Sequence, residues 1–258
     1  MGYGICHLSV IPVRAEASHR SEQISQLLFG ETFTMSDESG DWLRVRCSLD
    51  GYEGFIQRSQ QTPLMLVEFN ELEKAKPNFC YDLVQLLVNQ QSVTSIVIGS
   101  RLPWYRAGIC RIGNHNFTFE GSTVSPDAQT FSGRLVVENA YMYLNAPYLW
   151  GGRRPFGIDC SGLTQMAFKL CGIHLKRDAW MQAEAGDTIH LLDEAKPGDL
   201  AFFDNEEGRI THVGILTAKN RIIHASGQVR VDSIDHQGIF NAETRRYTHN
   251  LRLIKRLS

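Results

Sequence analysis

Cys160 stands where a glycine-bearing stretch, Tyr148-Leu149-Trp150-Gly151-Gly152, gives way through Asp159 to an amphipathic segment. Beyond it Leu163, Met166, Ala167, Leu170 and Cys171 recur at helical spacing, and Gly172 supplies a stop. A thiol at a helix N-terminus meets unpaired backbone N–H groups and the positive end of the helix dipole. Both favour a thiolate, and a neighbouring imidazole would favour it further. The competing reading of Cys160 by itself is a buried structural cysteine.

Three strand-like runs follow: Gly198-Asp199-Leu200-Ala201-Phe202-Phe203, Thr211-His212-Val213-Gly214-Ile215-Leu216 and Arg221-Ile222-Ile223-His224-Ala225-Ser226-Gly227. A three-residue turn at Ala218-Lys219-Asn220 pairs Thr217 with Arg221 and sets His212 and His224 on one sheet face as diagonal neighbours. A two-residue turn puts them on opposite faces. On a shared face one imidazole can take the thiol proton while the other orients it, the nucleophile, base and orienter pattern of a cysteine hydrolase. Either histidine taken singly is equally an ordinary polar strand residue. Cys160, His212 and His224 are also of zinc-ligand type, but the other histidines show no ligand spacing, so neither metal nor cofactor is expected.

Pro147 to Gly162, Lys196-Pro197-Gly198-Asp199-Leu200, Thr211-His212-Val213-Gly214-Ile215 and His224-Ala225-Ser226-Gly227 together resemble the NlpC-type cell-wall cysteine peptidases. The resemblance covers the chain from about residue 126 to 258 and implies an α+β papain-like domain. It implies Cys160 as nucleophile, His212 as base and later acid, His224 as third member, and Tyr148 as a hydroxyl assisting the oxyanion beside the Cys160 backbone N–H. A core aromatic is the alternative for Tyr148.

The N-terminal half reads as all-β. Leu27-Leu28-Phe29-Gly30-Glu31, Trp42 to Cys47 and Tyr52 to Ile56 are strand-like, and Leu43, Val45 and Cys47 alternate with Trp42, Arg44 and Arg46. Asp50-Gly51 is a hairpin turn signal. Val13-Arg14-Ala15-Glu16, Gly40-Asp41-Trp42-Leu43 and Asp50 to Ile56 make residues 1–61 similar to a bacterial SH3-like barrel. Residues 62–125 read as a second, divergent SH3-like unit, with a short helix near Tyr81 to Leu87 and strands at Ser95 to Ile98 and Asn116 to Phe119.

SH3-like units before an NlpC-type domain resemble the γ-D-glutamyl-L-diamino acid endopeptidases. That subgroup cuts murein peptides between D-glutamate and meso-diaminopimelate and requires a free N-terminal L-alanine. A buried ammonium needs carboxylate or hydroxyl acceptors. The resemblance assigns Asp178 to it; Glu53 is a candidate second carboxylate, and Tyr105 and Tyr52 are both candidates for the barrel contributor. Asp159 and Ser161 are expected to contact the substrate main chain, with helix capping as the alternative. Arg153 is a further substrate-carboxylate candidate, a solvated loop charge being its alternative. An amidase or acyltransferase on the same scaffold and a non-catalytic peptidoglycan-binding module are the competing functions.

A length of 258 residues accommodates two or three small domains, and 43% apolar content is ordinary for globular protein. The formal charge of −2 and pI near 6.5 provide no basic footprint for nucleic acid. No run is long enough to span a membrane. The six cysteines lack Cys-x-x-Cys spacing and are expected as free thiols. The N-terminus lacks the basic start and apolar stretch of a signal peptide, so a cytoplasmic protein is expected if the start is native, and one exported to the cell envelope if a leader has been trimmed. Oligomeric state has no signature in the sequence.

Overall fold

The computed structural model describes residues 2–126 and 131–257, which divide into two compact units at Pro126/Asp127. The first unit opens with β1 (Gly2–Cys6), β2 (Val10–Arg14), β3 (Gln23–Leu28), β4 (Thr32–Ser39), β5 (Trp42–Cys47), β6 (Glu53–Gln57) and β7 (Gln61–Leu64). These form one antiparallel sheet in the order β3-β2-β6-β5-β4-β1-β7. On β5 the alternation seen in the sequence holds: Leu43, Val45 and Cys47 are buried and pack with Ile11, Val13, Leu27, Phe33 and Ile56. The strand read at Leu27 to Glu31 ends earlier. Glu31 turns back to accept the Leu28 N–H at 2.9 Å.

After α1 (Leu66–Lys74) come β8 (Phe79–Cys80), β9 (Val84–Val88), β10 (Val93–Val97), β11 (Ile109–Ile112), β12 (His115–Phe119) and β13 (Thr123–Val124). The helix expected near Tyr81 to Leu87 is absent. Strand β9 occupies that stretch, pairing with β10 and β12 and burying Leu87. The apolar run was too short to separate helix from strand by periodicity, and cross-strand pairing decides for the strand. The first sheet extends to Leu64, beyond the expected boundary at residue 61. Ile5 and Leu64 from that sheet, with Phe29 from the turn after β3, share a core with Leu87, Ile96, Cys110, Phe117 and Phe119.

The second unit contains α2 (Gly133–Tyr141), β14 (Arg153–Arg154), β15 (Gly157–Ile158), α3 (Cys160–Lys169), α4 (Ala179–Gln182) and β16 (Asp187–Ile189). It continues with β17 (Leu200–Asp204), β18 (Ile210–Ala218), β19 (Arg221–Ser226), β20 (Gln228–Ile234), β21 (Gly238–Asn241) and β22 (Arg246–Arg256). Strand β22 pairs with β17 on one side and β21 on the other, so β22-β17-β18-β19-β20-β21 closes into a ring. Ala201, Phe203, Leu216, Ile222, Ile234, Ile239 and Ile254 fill one core of this ring. Helix α3 packs against β18 and β19 and against α2, where buried Asn139 donates to Ala167 O at 3.1 Å. All six cysteines are buried, and none is joined in a disulfide.

Candidate active site

Asp159 builds the start of α3. Its Oδ1 accepts the Gly162 N–H at 2.7 Å as an N-cap, and its Oδ2 accepts the Gly151 N–H at 2.8 Å. Arg177 donates to both oxygens, Nη1 to Oδ1 at 3.1 Å and Nη2 to Oδ2 at 2.6 Å, and Nη1 also donates to Ser161 Oγ at 2.9 Å. All three side chains are buried. Capping, the alternative expected for this pair, is what the Asp159 side chain does, and Ser161 Oγ joins the same buried network. Gly162 is required by close approach, since a Cβ there would lie 2.3 Å from Gly152 O. Sequence reading missed Arg177, whose only visible signal was its place beside Asp178.

Cys160 begins α3, the helix that packs against β18, and is buried there. The expectation of a thiolate is not met. Burial, and then the Asp159 charge, push the thiol pKa up to about 12, outweighing Val213, Ser161 and Arg177, which pull it down. The nucleophile therefore rests protonated at neutral pH and needs a base.

His212 Nε2 and His224 Nδ1 lie 2.9 Å apart. The histidines share a face in the expected register, with Gly214 opposite His224, but the turn that leads into it differs. Ala218, not Thr217, faces Arg221 across a two-residue turn, and a bulge at Thr217 restores the parity, bringing His224 opposite Gly214 and diagonal to His212. Asn220, at φ 58, supplies the left-handed turn residue. Gly214 leaves the room His224 needs, because a Cβ there would stand 2.9 Å from His224 Cβ.

Two further side chains complete the cluster. Asp232 Oδ2 lies 3.0 Å from His224 Nε2 and also accepts from Arg230 Nε at 2.7 Å. His249, on β22, stacks on His212 with ring centroids 4.0 Å apart and planes 24° from parallel. Burial, and then His249 and His224, hold His212 well below the usual imidazole range. Burial, helped by His224, lowers His249 to about 4. Both rings are neutral at pH 7.

Ligand nitrogens of His212, His224 and His249 all lie within 4.8 Å of one another, a composition that suits zinc. The ring geometry does not. The near-parallel stack of His212 on His249 directs their in-plane lone pairs alongside one another, and His212 Nε2 is engaged with His224. This is a hydrogen-bonded relay with a stacked neighbour.

Tyr148 is half-buried, its backbone bridged to Ile158. Burial, and then Cys160 and Asp159, raise its hydroxyl above the ordinary phenol range, so it remains a hydrogen-bond donor. Arg153 is neither a solvated loop charge nor an exposed substrate contact: it is buried on β14 with Nη2 3.6 Å from Met166 Sδ of α3. Asp178 is half-buried at the N-terminus of α4. Gln182 pins that segment to α3, donating to Ser161 O at 3.0 Å and Lys176 O at 2.8 Å while accepting from Thr164 Oγ1 at 2.7 Å. In the first unit, Glu53 is exposed and accepts from Arg44 Nη2 at 2.9 Å. Tyr105 packs edge-on to Phe119.

A cysteine on a helix start, facing a strand that carries a histidine relay, defines a cysteine-hydrolase class of site. Residues 145–248 match the NlpC/P60 family and residues 13–60 match a bacterial dipeptidyl-peptidase SH3 domain, so the chain carries an NlpC/P60 domain with an SH3 domain ahead of it. It is 28% identical over 214 residues to a γ-D-glutamyl-L-lysine dipeptidyl-peptidase of Bacillus subtilis, across 78% of this chain and 71% of that protein. It is likewise 28% identical over 256 residues to dipeptidyl-peptidase 6 of Lysinibacillus sphaericus, across 86% of this chain and 88% of that one. The fold is similar to that of an NlpC/P60 family protein from Bacillus cereus, with a TM-score of 0.83 at 20% identity over 98% of this chain and 99% of that one.

Proposed function

We propose that the protein is a cysteine endopeptidase that hydrolyses the γ-D-glutamyl-meso-diaminopimelate bond of murein peptides bearing a free N-terminal L-alanine. The observation that carries the reading is the 2.9 Å contact of His212 with His224, with His212 on β18, the strand that packs against the helix begun by Cys160. In this mechanism His212 takes the Cys160 proton as sulfur attacks the γ-glutamyl carbonyl, and the negative charge collects on the former carbonyl oxygen. The Cys160 backbone N–H and the Tyr148 hydroxyl are the donors assigned to that oxygen. His212 returns the proton to the departing amine, leaving a thioester that water hydrolyses by the same base.

Asp178 is the carboxylate assigned to the alanine ammonium. It is held half-buried on a segment fixed to the first turn of α3, where a charge-assisted hydrogen bond gains from partial desolvation. The names of the relatives, which specify γ-D-glutamyl-L-lysine and dipeptidyl-peptidase activity, support this bond class and a dipeptide-releasing cut.

Mass spectrometry of L-alanyl-γ-D-glutamyl-meso-diaminopimelate, its lysine analogue and its N-acetylated form tests the reading with wild type and Cys160→Ala. Release of the diamino acid by wild type alone, and only from free-amine peptides, is expected. Cleavage of the acetylated peptide at equal rate removes the amine requirement. No Cys160-dependent cleavage of any of the three would sink the substrate class and favour another acyl substrate on this scaffold.

A further inference from the structure

We propose that Asp232 is a positioning residue which, acting through His224, decides which nitrogen of His212 is bare and able to serve as the base. The catalytic meaning rests on the reading of His212 given above, whereas the hydrogen bonds that carry the assignment are independent of any substrate.

Strand register creates the contact. Arg230 faces His224 across β19 and β20, which puts Asp232 one diagonal step away on the same face. Its Oδ2 meets His224 Nε2 at 3.0 Å and Arg230 Nε at 2.7 Å, and its Oδ1 accepts from Arg230 Nη2 at 3.1 Å. A carboxylate offers only acceptors, so the proton in the contact with His224 belongs to Nε2. A neutral imidazole protonated at Nε2 has a bare Nδ1. That Nδ1 accepts across the 2.9 Å contact with His212, so the donor there is His212 Nε2. His212 thus carries its single proton on Nε2, and its Nδ1 is the nitrogen left for the thiol proton.

The rival arrangement makes His224 an imidazolium that donates from both nitrogens, which would force the His212 proton onto Nδ1 and abolish the base. Charge matching disfavours it. Arg230 already satisfies the single charge of Asp232 with two hydrogen bonds, and His224 is 1% exposed. Glu243, the other carboxylate on Arg230 at 3.5 Å, is 77% exposed and screened by water. The remaining titratable ring nearby is His249, 5.6 Å from His224 by centroid. A second buried cation would have no counter-ion of its own.

During attack the S–H bond breaks and its proton passes to His212 Nδ1. The resulting imidazolium keeps its Nε2–H on His224, and the Nδ1 proton later leaves with the amine. Asp232 thereby acts two hydrogen bonds from the reacting atoms without exchanging a proton.

Nitrogen NMR of wild-type protein labelled with 15N-histidine tests the assignment at neutral pH, with signals identified through His212→Gln and His224→Gln. Both rings are expected to be protonated at Nε2 and bare at Nδ1. In Asp232→Ala, loss of the acceptor lets His224 shift its proton to Nδ1. His212 Nδ1 then gains proton occupancy, and kcat falls by at least about 10²-fold, toward the roughly 10⁴-fold cost of a wrong tautomer in a hydrolase triad, with KM little changed. Asp232→Glu should restore part of both signals. A proton on His212 Nδ1 in wild type, doubly protonated His224, or unchanged tautomers in Asp232→Ala would each overturn the proposal. Wild type that shows both Nε2 protons yet cleaves none of the murein peptides supports the assignment and defeats the substrate reading alone.

Discussion

Arg177 and Asp159 form a 2.6 Å ion pair with side chains 1% and 5% exposed, directly behind the residue that begins α3. The pair joins the segment that carries Asp178 to the cap of the nucleophile's helix. Because both charges are buried against one another, removal of one partner leaves the other buried without its main counter-ion.

Arg177→Met should therefore destabilise the protein by about 3–5 kcal/mol in urea unfolding. Replacement of both partners, Asp159→Asn with Arg177→Met, should recover part of that loss. A single variant with an unchanged denaturation midpoint would show that water reaches the pair.

Gly162→Ala should destabilise by about 1–3 kcal/mol, the usual cost of overpacking, because the new methyl must displace the Gly152 carbonyl. The displacement propagates into the turn before Cys160, so peptidase activity should fall more than stability does. Wild-type stability and activity together in this variant would contradict the contact.

The resting Cys160 thiol should react slowly with iodoacetamide at pH 7. Its alkylation rate, followed by mass spectrometry, should continue to rise past pH 9, since the thiol pKa is pushed up to about 12. An inflection below pH 7 would instead identify a preformed thiolate.

The acid limb of kcat/KM should lie below pH 6.5, because His212 stays neutral as the pH falls through the ordinary imidazole value. Burial is the first cause and His249 the second. His249→Phe keeps an apolar ring in place and removes the charge that forms there in acid, so the limb should move upward. A limb that stays put or moves down would exclude the stacked ring as an influence on the base.

Stability should decline as the pH drops from about 6.5 toward 4. In that window the unfolded chain takes up protons on His212 and His249 while the folded state, whose values are lowered, does not. The loss is complete only below the folded values. His249→Phe should flatten the slope of unfolding free energy against pH, and an unaltered slope would mean that His249 titrates normally.

The nucleophile, its helix and the two-histidine pair were legible because each rests on local signals: a cap, a helical repeat, and alternation on two adjacent strands. Even there the turn between β18 and β19 was misjudged. The Thr217 bulge happened to preserve the parity that the expected turn required. Asp232 was within reach of the same reasoning, by counting back from His224 through the tight turn at Gly227 to Arg230 and then two residues further. His249 was not, since its place depends on β22 pairing with both β17 and β21 across register shifts that no local pattern announces. Arg153 and Arg177 look like surface charges in sequence and are buried, Arg177 on the Asp159 cap of α3 and Arg153 against Met166 further along that helix.

The ring of strands in the second unit is completed by β22, the last of its strands in chain order. A nascent chain halted before Arg246 already contains Cys160, His212, His224 and Asp232, yet β17 and β21 then present open edges and His212 has no stacked ring. Chemical competence therefore arrives late in synthesis, after the residues that perform it.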